Sequence, residues 1–415
     1  MESSGRDRQS VGGAGSATGA TTWRFAEFFA GIGLVRVALE RADPRWRCVF
    51  ANDLDPVKRA IYSNHFGCPI DEVDGTDVHA LAGGDVPEID LATASFPCTD
   101  LSLAGGRRGI RSGESSAFWG FHRVLAEMGD RRPAAVLLEN VVGLLNSNGG
   151  EDFRDALLAM NGLGYAVDPM VLDARWFVPQ SRPRLFVVCA RSEAAERTPA
   201  GLVGESRLRP AKLAAFVRQH AGEIHWSLSD PPEPPARGAR ALEDIIEKKN
   251  AERLDWWSEE RVAYLYDQMF PRHQAWVDAH RDGRRYAYAT AFRRVRPLGD
   301  GTKRSMAELR TDGVAGCLRT PKGGSGRQIL VRAGRGRLDA RLLSGPECAA
   351  LMGVPSYRLD CMLNQALFGF GDAVCVDVVE WIARHVIGPM FDDRLAPKSD
   401  GVDDEHPAAA MSALA

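Results

Sequence analysis

Hydrophobic and polar positions alternate in blocks over the first half of the chain. Short apolar runs end abruptly at Gly, Pro or an acidic residue, as buried strands of a parallel sheet do. Amphipathic stretches follow several of these runs and predict helices. The predicted strands are residues 24–29, 47–51, 90–96, 134–138, 165–172 and 185–189, with a further short strand that ends near Asp74. This order predicts an α/β fold.

The regular alternation stops after Arg191, and helical periodicity returns only at Leu342. We therefore expect a main domain at 23–192, a smaller and irregular domain at 193–338, and a return to the main domain at 339–390 that includes a last helix over 373–386. Residues 1–22 and 391–415 are rich in small residues, Asp and Pro. They predict disordered tails, and the first has no apolar core of a signal peptide.

Composition narrows the class of protein. Of the 415 residues, 45% are hydrophobic and 26% are charged, as in ordinary soluble domains. No apolar run approaches the roughly 20 residues that a membrane-spanning helix needs. The eight cysteines stand far apart without a C-x-x-C pair, so neither a zinc site nor a disulfide framework is expected. A reducing, cytoplasmic compartment fits this pattern.

The net charge of −3 conceals an asymmetry. Residues 191–340 hold 28 basic and 20 acidic residues, and 271–340 alone hold 16 and 6. Such a run is often only a solvated face. A basic segment within an acidic protein nevertheless favours contact with a polyanion.

A glycine turn and an acidic residue indicate a nucleotide site. Phe29-Ala-Gly31-Ile-Gly33 ends the first predicted strand, and Asp53 ends the second, 20 residues after Gly33. Glycines let a ligand approach the backbone, and an acid at this position binds ribose hydroxyls. The turn lacks the third glycine of the dinucleotide fingerprint. It therefore favours an adenosine-type ligand without a pyrophosphate and argues against a nicotinamide-dependent dehydrogenase.

Two further strand ends carry chemistry. Phe96-Pro97 breaks a buried strand and places Cys98 just beyond its carboxyl end, where an open α/β sheet presents a nucleophile. A buried cysteine that packs as a small hydrophobe is the alternative. Glu139 ends an apolar strand, where a carboxylate is costly to bury unless it has a partner or a function.

The order of these motifs resembles the DNA cytosine C5-methyltransferase family. Phe29-Ala-Gly31-Ile-Gly33, Phe96-Pro97-Cys98, Glu139-Asn140-Val141 and Gln180-Ser-Arg182-Pro-Arg184 are followed by the basic region, by Arg341 to Pro355 and by Phe368 to Val374. The resemblance covers roughly 24–388. It implies a Rossmann-like methyltransferase core with a smaller, irregular target recognition domain.

The resemblance also implies a reaction at cytosine. Cys98 would attack C6 of the flipped-out base, because a thiolate is strongly nucleophilic. Glu139 would contact N3 and the exocyclic amine, and Arg184 would hold O2. Arg182 would lie close to the site and to the DNA backbone.

The methyl donor implied by the family is S-adenosylmethionine. By similarity, its adenine, ribose and methionine parts would contact residues of three motifs: Phe29, Gly31, Gly33, Asp53, Leu54, Asp74, Gly75, Pro97, Asp372, Ala373 and Val374. The register around Asp74 is open by one residue. No metal is implied.

DNA contacts are implied in two places. The loop 102–118, with Arg107 and Arg108, resembles the mobile loop that closes over DNA. Within the recognition region, residues 314–327 resemble a segment that reaches the major groove. Arg319 and Arg327 could there read guanine, or they and Lys322 could bind phosphate only.

The sequence departs from the family pattern at Thr99 and Asp372, where Gln and Asn are usual. Neither departure removes a group that the chemistry needs. We therefore expect a monomeric, sequence-specific methyltransferase of double-stranded DNA, in a restriction-modification or phage-defence system with a cognate endonuclease or defence complex. The alternatives are a tRNA cytosine-C5 methyltransferase and a catalytically silent homologue. The recognition region of about 140 residues favours DNA.

Overall fold

The computed structural model describes residues 21–97, 117–191, 201, 203–238, 240–248, 254–297, 301–320 and 326–395, with side chains to 392. Cys98, Thr99, Arg107, Arg108 and Lys322 lie outside these residues, as does most of both predicted tails. Within the described part of the chain, no helix is long and apolar enough to cross a bilayer. The same residues contain no group of three or more metal-ligating side chains.

Seven strands form the central sheet, in the order β3-β2-β1-β4-β5-β7-β6. They are β1 (Trp23–Phe28), β2 (Trp46–Asn52), β3 (Val73–Asp74), β4 (Leu91–Ala94), β5 (Ala135–Val141), β6 (Tyr165–Asp173) and β7 (Pro183–Arg191). β1 to β5 are parallel, and β7 runs antiparallel to both of its neighbours. Because the chain leaves β1 towards β2 and returns to β4 on the other side, a crevice opens beyond the carboxyl ends of β1 and β4. The predicted α/β fold is confirmed.

Both faces of this sheet are buried, which explains the apolar runs in the sequence. Phe25, Leu91 and Leu137 belong to the core on one face, while Ala26 and Val136 belong to the core on the other. The helices that flank the strands of this sheet are α1 (Leu34–Ala42), α2 (Pro56–Phe66), α3 (Ala117–Met128) and α4 (Glu151–Gly162). After β7 the chain forms α5 (Ala211–Gln219), α6 (Leu242–Ile245), α7 (Glu259–Asp267) and α8 (Pro271–Arg281).

The region predicted to be irregular contains a four-stranded antiparallel sheet, so that prediction needs correction. Its strands are β8 (Ala287–Pro297), β9 (Lys303–Arg310), β10 (Ile329–Gly334) and β11 (Arg337–Leu342), in the order β11-β10-β8-β9. The buried positions of β8 and β9 include Ala289, Ala291 and Ala307. Alanine has low strand propensity, and arginines surround it, so the usual β-branched signature is absent.

The C-terminal segment is helical from near Leu342 as predicted, but it differs from the prediction that the last helix ends at 386 and that a disordered tail begins at 391. It forms α9 (Gly345–Leu351), α10 (Leu363–Asp372), α11 (Val376–Ile382), a π-helical turn over 383–387, and α12 (Gly388–Leu395). Phe391 is only 5% exposed. Its ring lies 5.4 Å from that of Trp23 and 5.1 Å from that of Trp46. This aromatic packing extends the ordered chain past the predicted limit.

Candidate active site

The turn between β1 and α1 contains two glycines with different roles. Gly31 and Gly33 both have positive φ values, of 58° and 79°. A Cβ on Gly33 would lie 2.4 Å from the ring of Phe66 and 2.7 Å from that of Tyr62, whereas a Cβ on Gly31 would have no close neighbour. Gly33 is therefore required for packing against α2. Gly31 is the glycine that leaves open space for a ligand. Phe29 adopts φ 56° in the same turn.

Asp53 fastens this turn to the end of β2. Its carboxylate accepts hydrogen bonds from the main-chain N–H of Gly31 at 2.7 Å and of Asp55 at 2.8 Å. Burial raises the pKa of Asp53, and the nearby Lys58 charge opposes that rise. Each carboxylate oxygen still has a lone pair for a ribose hydroxyl. Leu54, the next residue, is 64% exposed.

Asp74 lies at the end of β3, beside β2. Its Oδ1 accepts from the main-chain N–H of Thr76 at 2.6 Å and from the side chain of Asn52 at 3.3 Å. Asn52 also donates to the Thr76 carbonyl at 2.8 Å. A Cβ on Gly75 would lie 2.7 Å from the guanidinium of Arg59. Asn52, which the motifs did not single out, thus fixes the acidic turn.

Glu139 and Arg184 form a buried ion pair on neighbouring strands. Nε of Arg184 lies 3.1 Å from Oε1 of Glu139, whose side chain is 10% exposed. Burial raises the pKa of Glu139, while the charges of Arg184 and Arg182 act in the opposite direction. Asn140 donates to the Phe96 carbonyl at 3.2 Å. That bond ties the end of β5 to the residues just before Pro97 and Cys98.

Arg182 occupies a different environment from Arg184. Its side chain is fully buried, and its guanidinium donates to the Leu318 carbonyl at 2.8 Å, to the Gly371 carbonyl at 2.9 Å and to the Ala373 carbonyl. Its main-chain N–H donates to Asp173 at 2.7 Å. The sequence placed Arg182 close to the DNA backbone. In the structure its charge is directed inward, where it joins the segment around Leu318 to the turn after α10.

Cys317 is a site residue that the sequence did not identify. Its Sγ lies 3.2 Å from Nη1 of Arg182 and 4.0 Å from Nη2 of Arg184. Burial alone would raise the pKa of this thiol, but the charges of Arg182, Arg184 and Arg319 together lower it below its ordinary value. No local sequence motif predicts the role of Cys317, because its contacts with Arg182 and Arg184 join residues more than 130 positions apart.

Asp372, the departure from the family pattern, has a specific partner. Its carboxylate lies 2.7 Å from Nζ of Lys58 on the first turn of α2, and its side chain is 50% exposed. Lys58 also interacts with Asp53, which contributes to a raised pKa of Lys58. The Lys58–Asp372 ion pair therefore joins the side of the crevice that holds Asp53 to the end of α10.

The described part of residues 314–327, which we call the recognition segment, packs directly against the end of α10. A Cβ on Gly371 would lie 2.4 Å from the main-chain nitrogen of Thr320, so only glycine permits the contact. Arg319 is exposed, and Arg327 is half-buried, with no hydrogen-bond partner for its Nε among the residues that the structure describes. Gln180 holds the base of the segment, since it accepts from the Leu318 N–H at 3.0 Å and donates to the Leu351 carbonyl at 2.7 Å.

A doubly wound sheet that has a glycine turn after its first strand, an acid after its second strand and a carboxylate–arginine pair beside its switch point has the architecture of Rossmann-like nucleotide-cofactor enzymes. The chain belongs to the C-5 cytosine-specific DNA methylase family, whose model matches residues 23–388. It is therefore a DNA cytosine-5-methyltransferase that uses S-adenosylmethionine as methyl donor. The predicted family, enzyme class and cofactor are confirmed. The residues present fit this cofactor, because Gly31 leaves open space beside the Asp53 carboxylate.

Type II methyltransferases are among the relatives that match nearly the whole chain. The Type II methyltransferase M.DsaV of Dactylococcopsis salina is 26% identical over 88% of this chain and 86% of its own length. The Type II methyltransferase M.HhaI of Haemophilus parahaemolyticus is 25% identical over 88% of this chain and 94% of its own length. Among solved structures, the Dnmt2 methyltransferase of S. pombe superposes with a TM-score of 0.57 at 18% identity, covering 89% of this chain and 99% of that chain. This last likeness supports the fold alone.

Proposed function

We propose that the protein methylates cytosine C5 within a specific sequence of double-stranded DNA, by a covalent mechanism in which Cys98 is the nucleophile. The Glu139–Arg184 pair carries the proposal, because it lies at the strand end next to the one that leads into Phe96-Pro97-Cys98. Two strand ends that meet at the same edge bring a nucleophile and a proton donor together. The family named for DNA methylation favours this substrate over tRNA.

The chemistry needs three groups acting on one ring. The Cys98 thiolate adds to C6 and forms an S–C6 bond, while Glu139 donates a proton or hydrogen bond at N3 and limits the charge that develops on the ring. Burial raises the pKa of Glu139 and so favours the protonated form that can donate to N3, although the charges of Arg184 and Arg182 oppose that rise. S-adenosylmethionine supplies the methyl group to C5. Loss of the C5 proton to solvent then expels the Cys98 thiolate by breaking the S–C6 bond, and the proton taken up at N3 returns to Glu139.

Cofactor contacts are proposed for the residues that the sequence suggested, with the exception of Gly33. Gly31, Asp53 and Leu54 border the open part of the crevice, and Asp74 with Gly75 forms its far end. Gly33 acts through packing rather than contact. Phe29, Pro97 and the backbone of 372–374 complete the proposed set.

DNA contacts are proposed for Arg319 and Arg327, together with Arg107, Arg108 and Lys322. Arg319 is exposed on a segment that adjoins Cys317 and Gly371 at the site. A guanine-reading arginine is worth about 1–3 kcal/mol of discrimination at one base position. The setting that we propose is a restriction-modification or phage-defence system in the cytoplasm, supported by the Type II names of the relatives. The enzyme is proposed to act as a monomer, with a cognate endonuclease or defence complex as its partner.

Covalent trapping tests the proposed mechanism. Duplex DNA with 5-fluorocytosine in the methylated sequence, which bisulfite sequencing of expressing cells would map, is incubated with the protein and S-adenosylmethionine. Fluorine cannot leave as a proton does, so the S–C6 bond should persist as a protein–DNA adduct in denaturing gels. Cys98→Ala should form no adduct yet bind the cofactor as the wild type does. Absence of an adduct with the wild type, at the mapped sequence, would refute the covalent route.

Glu139→Gln provides a matched control, because it keeps the shape of the side chain and removes its titratable proton. We expect methyl transfer to fall by about 10²–10⁴-fold, the usual contribution of a general acid or base. Cofactor affinity should change little. Equal loss of cofactor binding would indicate instead that Glu139 supports the fold of the site.

A further inference from the structure

The β8–β9 hairpin extends beyond the sheet to which it belongs. β10 pairs with β8 only over 287–291, whereas β8 and β9 continue to pair as far as Pro297 opposite Lys303. Residues 292–297 and 303–308 therefore continue beyond β10 as a ribbon of two strands, which we call the basic arm. Its inner part is attached to the rest of the domain, because the main-chain N–H of Ala307 donates to the Gln268 carbonyl at 2.9 Å. Six residues of β8 at about 3.4 Å each make this ribbon roughly 17–20 Å long.

The basic arm concentrates positive charge. Its described residues include five cations, Arg293, Arg294, Arg296, Lys303 and Arg304, against the single carboxylate of Glu308. Glu308 pairs with Arg296. None of Arg294, Lys303 and Arg304 has a carboxylate within ion-pair distance among the residues that the structure describes. All three are exposed.

The pairing within the arm is unfavourable in isolation. Arg296 is directly opposite Arg304, and Arg294 lies on the same face two positions earlier. Like charges at directly opposed positions destabilise a strand pair, and a two-stranded ribbon is at best marginally stable. Met306 and Ala307 are buried in the inner part of the arm, whereas Val295 near its end is 59% exposed, so little apolar burial offsets the repulsion at that end. An external polyanion would relieve it.

The base of the arm adjoins the recognition segment. Thr290 on β8 accepts a hydrogen bond from the main-chain N–H of Gly316 at 3.2 Å. Cys317, the next residue, contacts both site arginines. Because the arm begins only two residues after Thr290, a duplex bound at the site would lie within reach of its basic side chains. The basic residues at the opposite end of the same sheet, around the β10–β11 turn, lack this connection.

We infer that the basic arm is a second DNA-binding element, which contacts the phosphate backbone of the duplex through Arg294, Lys303 and Arg304. The inference rests on the proposed function, since it takes duplex DNA as the substrate. It adds a contact surface apart from residues 314–327. Arg293 serves the arm differently, because it donates to the side chain of Gln268 at 3.0 Å and lies beside Trp257.

A charge-matched pair of triple variants tests the inference. One variant carries Arg294→Gln, Lys303→Gln and Arg304→Gln. The control carries Arg284→Gln, Arg285→Gln and Arg337→Gln, which removes the same charge from exposed residues at the other end of the sheet. The affinity of each protein for a labelled duplex with the methylated sequence is measured by fluorescence anisotropy over a series of KCl concentrations.

We expect the arm variant to bind DNA at least about tenfold more weakly near physiological salt, with a log–log salt slope shallower by about 2–3. The control should stay within about threefold of the wild type, a smaller effect than loss of phosphate contacts produces. Melting temperature and cofactor affinity should match in all three proteins. Equal binding by the arm variant and the control, or equal weakening of both, would overturn the inference.

Failure of the inference is distinguishable from failure of the proposed function. If the wild-type protein traps 5-fluorocytosine DNA but the arm variant binds DNA as the control does, only the inference about the basic arm is refuted. A wild-type protein that neither binds nor traps duplex DNA refutes the substrate on which both depend.

Discussion

At the residue scale, the most informative side chain is that of Cys317, which no sequence motif predicted. Cys317 lies between two arginines of the site, and their charges with that of Arg319 lower the pKa of its thiol despite burial. Thiolates rather than thiols react with alkylating reagents. Cys361 is also half-buried, and burial and the nearby Asp360 raise the pKa of its thiol.

Iodoacetamide labelling near pH 7 should therefore modify Cys317 faster than Cys361. The experiment uses the Cys98→Ser variant, so that the proposed nucleophile does not compete, and mass spectrometry of peptides follows each site over time. Cys317→Ser should lose the fast phase and keep the slow one. Similar rates at both cysteines would contradict the electrostatic assignment. The rate at Cys317 should also vary less between pH 7 and pH 9, because more of its thiol is already ionised.

Two glycines of one turn permit a comparison at the element scale. Both have positive φ values, so alanine at either position adopts a left-handed conformation at a cost of about 1–2 kcal/mol. Gly33→Ala also overlaps the rings of Phe66 and Tyr62, which adds about 1–3 kcal/mol of overpacking. Gly31→Ala meets no such obstacle.

We expect Gly33→Ala to destabilise the protein more than Gly31→Ala does, as measured by urea unfolding. Gly31→Ala should instead show the larger loss of S-adenosylmethionine affinity relative to its loss of stability, because its added methyl group enters the open part of the crevice. Titration calorimetry at a temperature where both variants are folded separates the two effects. Proportional losses of stability and affinity in both variants would contradict the division of roles.

A second element-scale prediction concerns the Lys58–Asp372 ion pair, which joins α2 to the end of α10. Because Asp372 is half exposed, solvent screens the pair, and its coupling energy should not exceed about 1 kcal/mol. The measurement is a double-mutant cycle of Lys58→Met and Asp372→Asn in urea unfolding, at low salt and in 0.5 M NaCl. The coupling should shrink in high salt. A coupling energy well above about 1 kcal/mol that does not change with salt would indicate a buried, unscreened pair.

The sequence predicted the secondary-structure elements and site residues that a short local pattern of residues determines. The apolar strands, the glycine turn, Asp53 and the carboxylate of Glu139 were accessible because each is a short run with a fixed position relative to a strand end. The four-stranded sheet was missed because alanine and arginine dominate β8, and its pairing with β10 joins residues about 40 positions apart. Lys58–Asp372 and Arg182–Gly371 are long-range contacts that depend on the assembled fold.

At the scale of the whole molecule, one buried acid makes stability depend on pH. Glu27 lies in β1 at the centre of the sheet, where burial raises its pKa to about 8. The main-chain N–H of Arg36 donates to it at 3.0 Å, and the hydroxyl of Tyr62 donates at 3.4 Å. In the unfolded chain the same group titrates near 4.5. Folding therefore favours its protonated form.

The sign of the effect follows from that difference in pKa. The contribution of protonated Glu27 is fully present below about pH 4.5 and is lost as the pH rises through about 8. Glu27→Gln, which has no proton to lose, should gain stability over the wild type across this interval, by on the order of a few kcal/mol. The free energy of unfolding in urea, measured at pH 5.5, 7.0 and 8.5, gives the difference directly. Because every other titratable group is common to both proteins, a difference that stays constant across the three pH values would show that Glu27 ionises in the folded protein as it does in the unfolded chain.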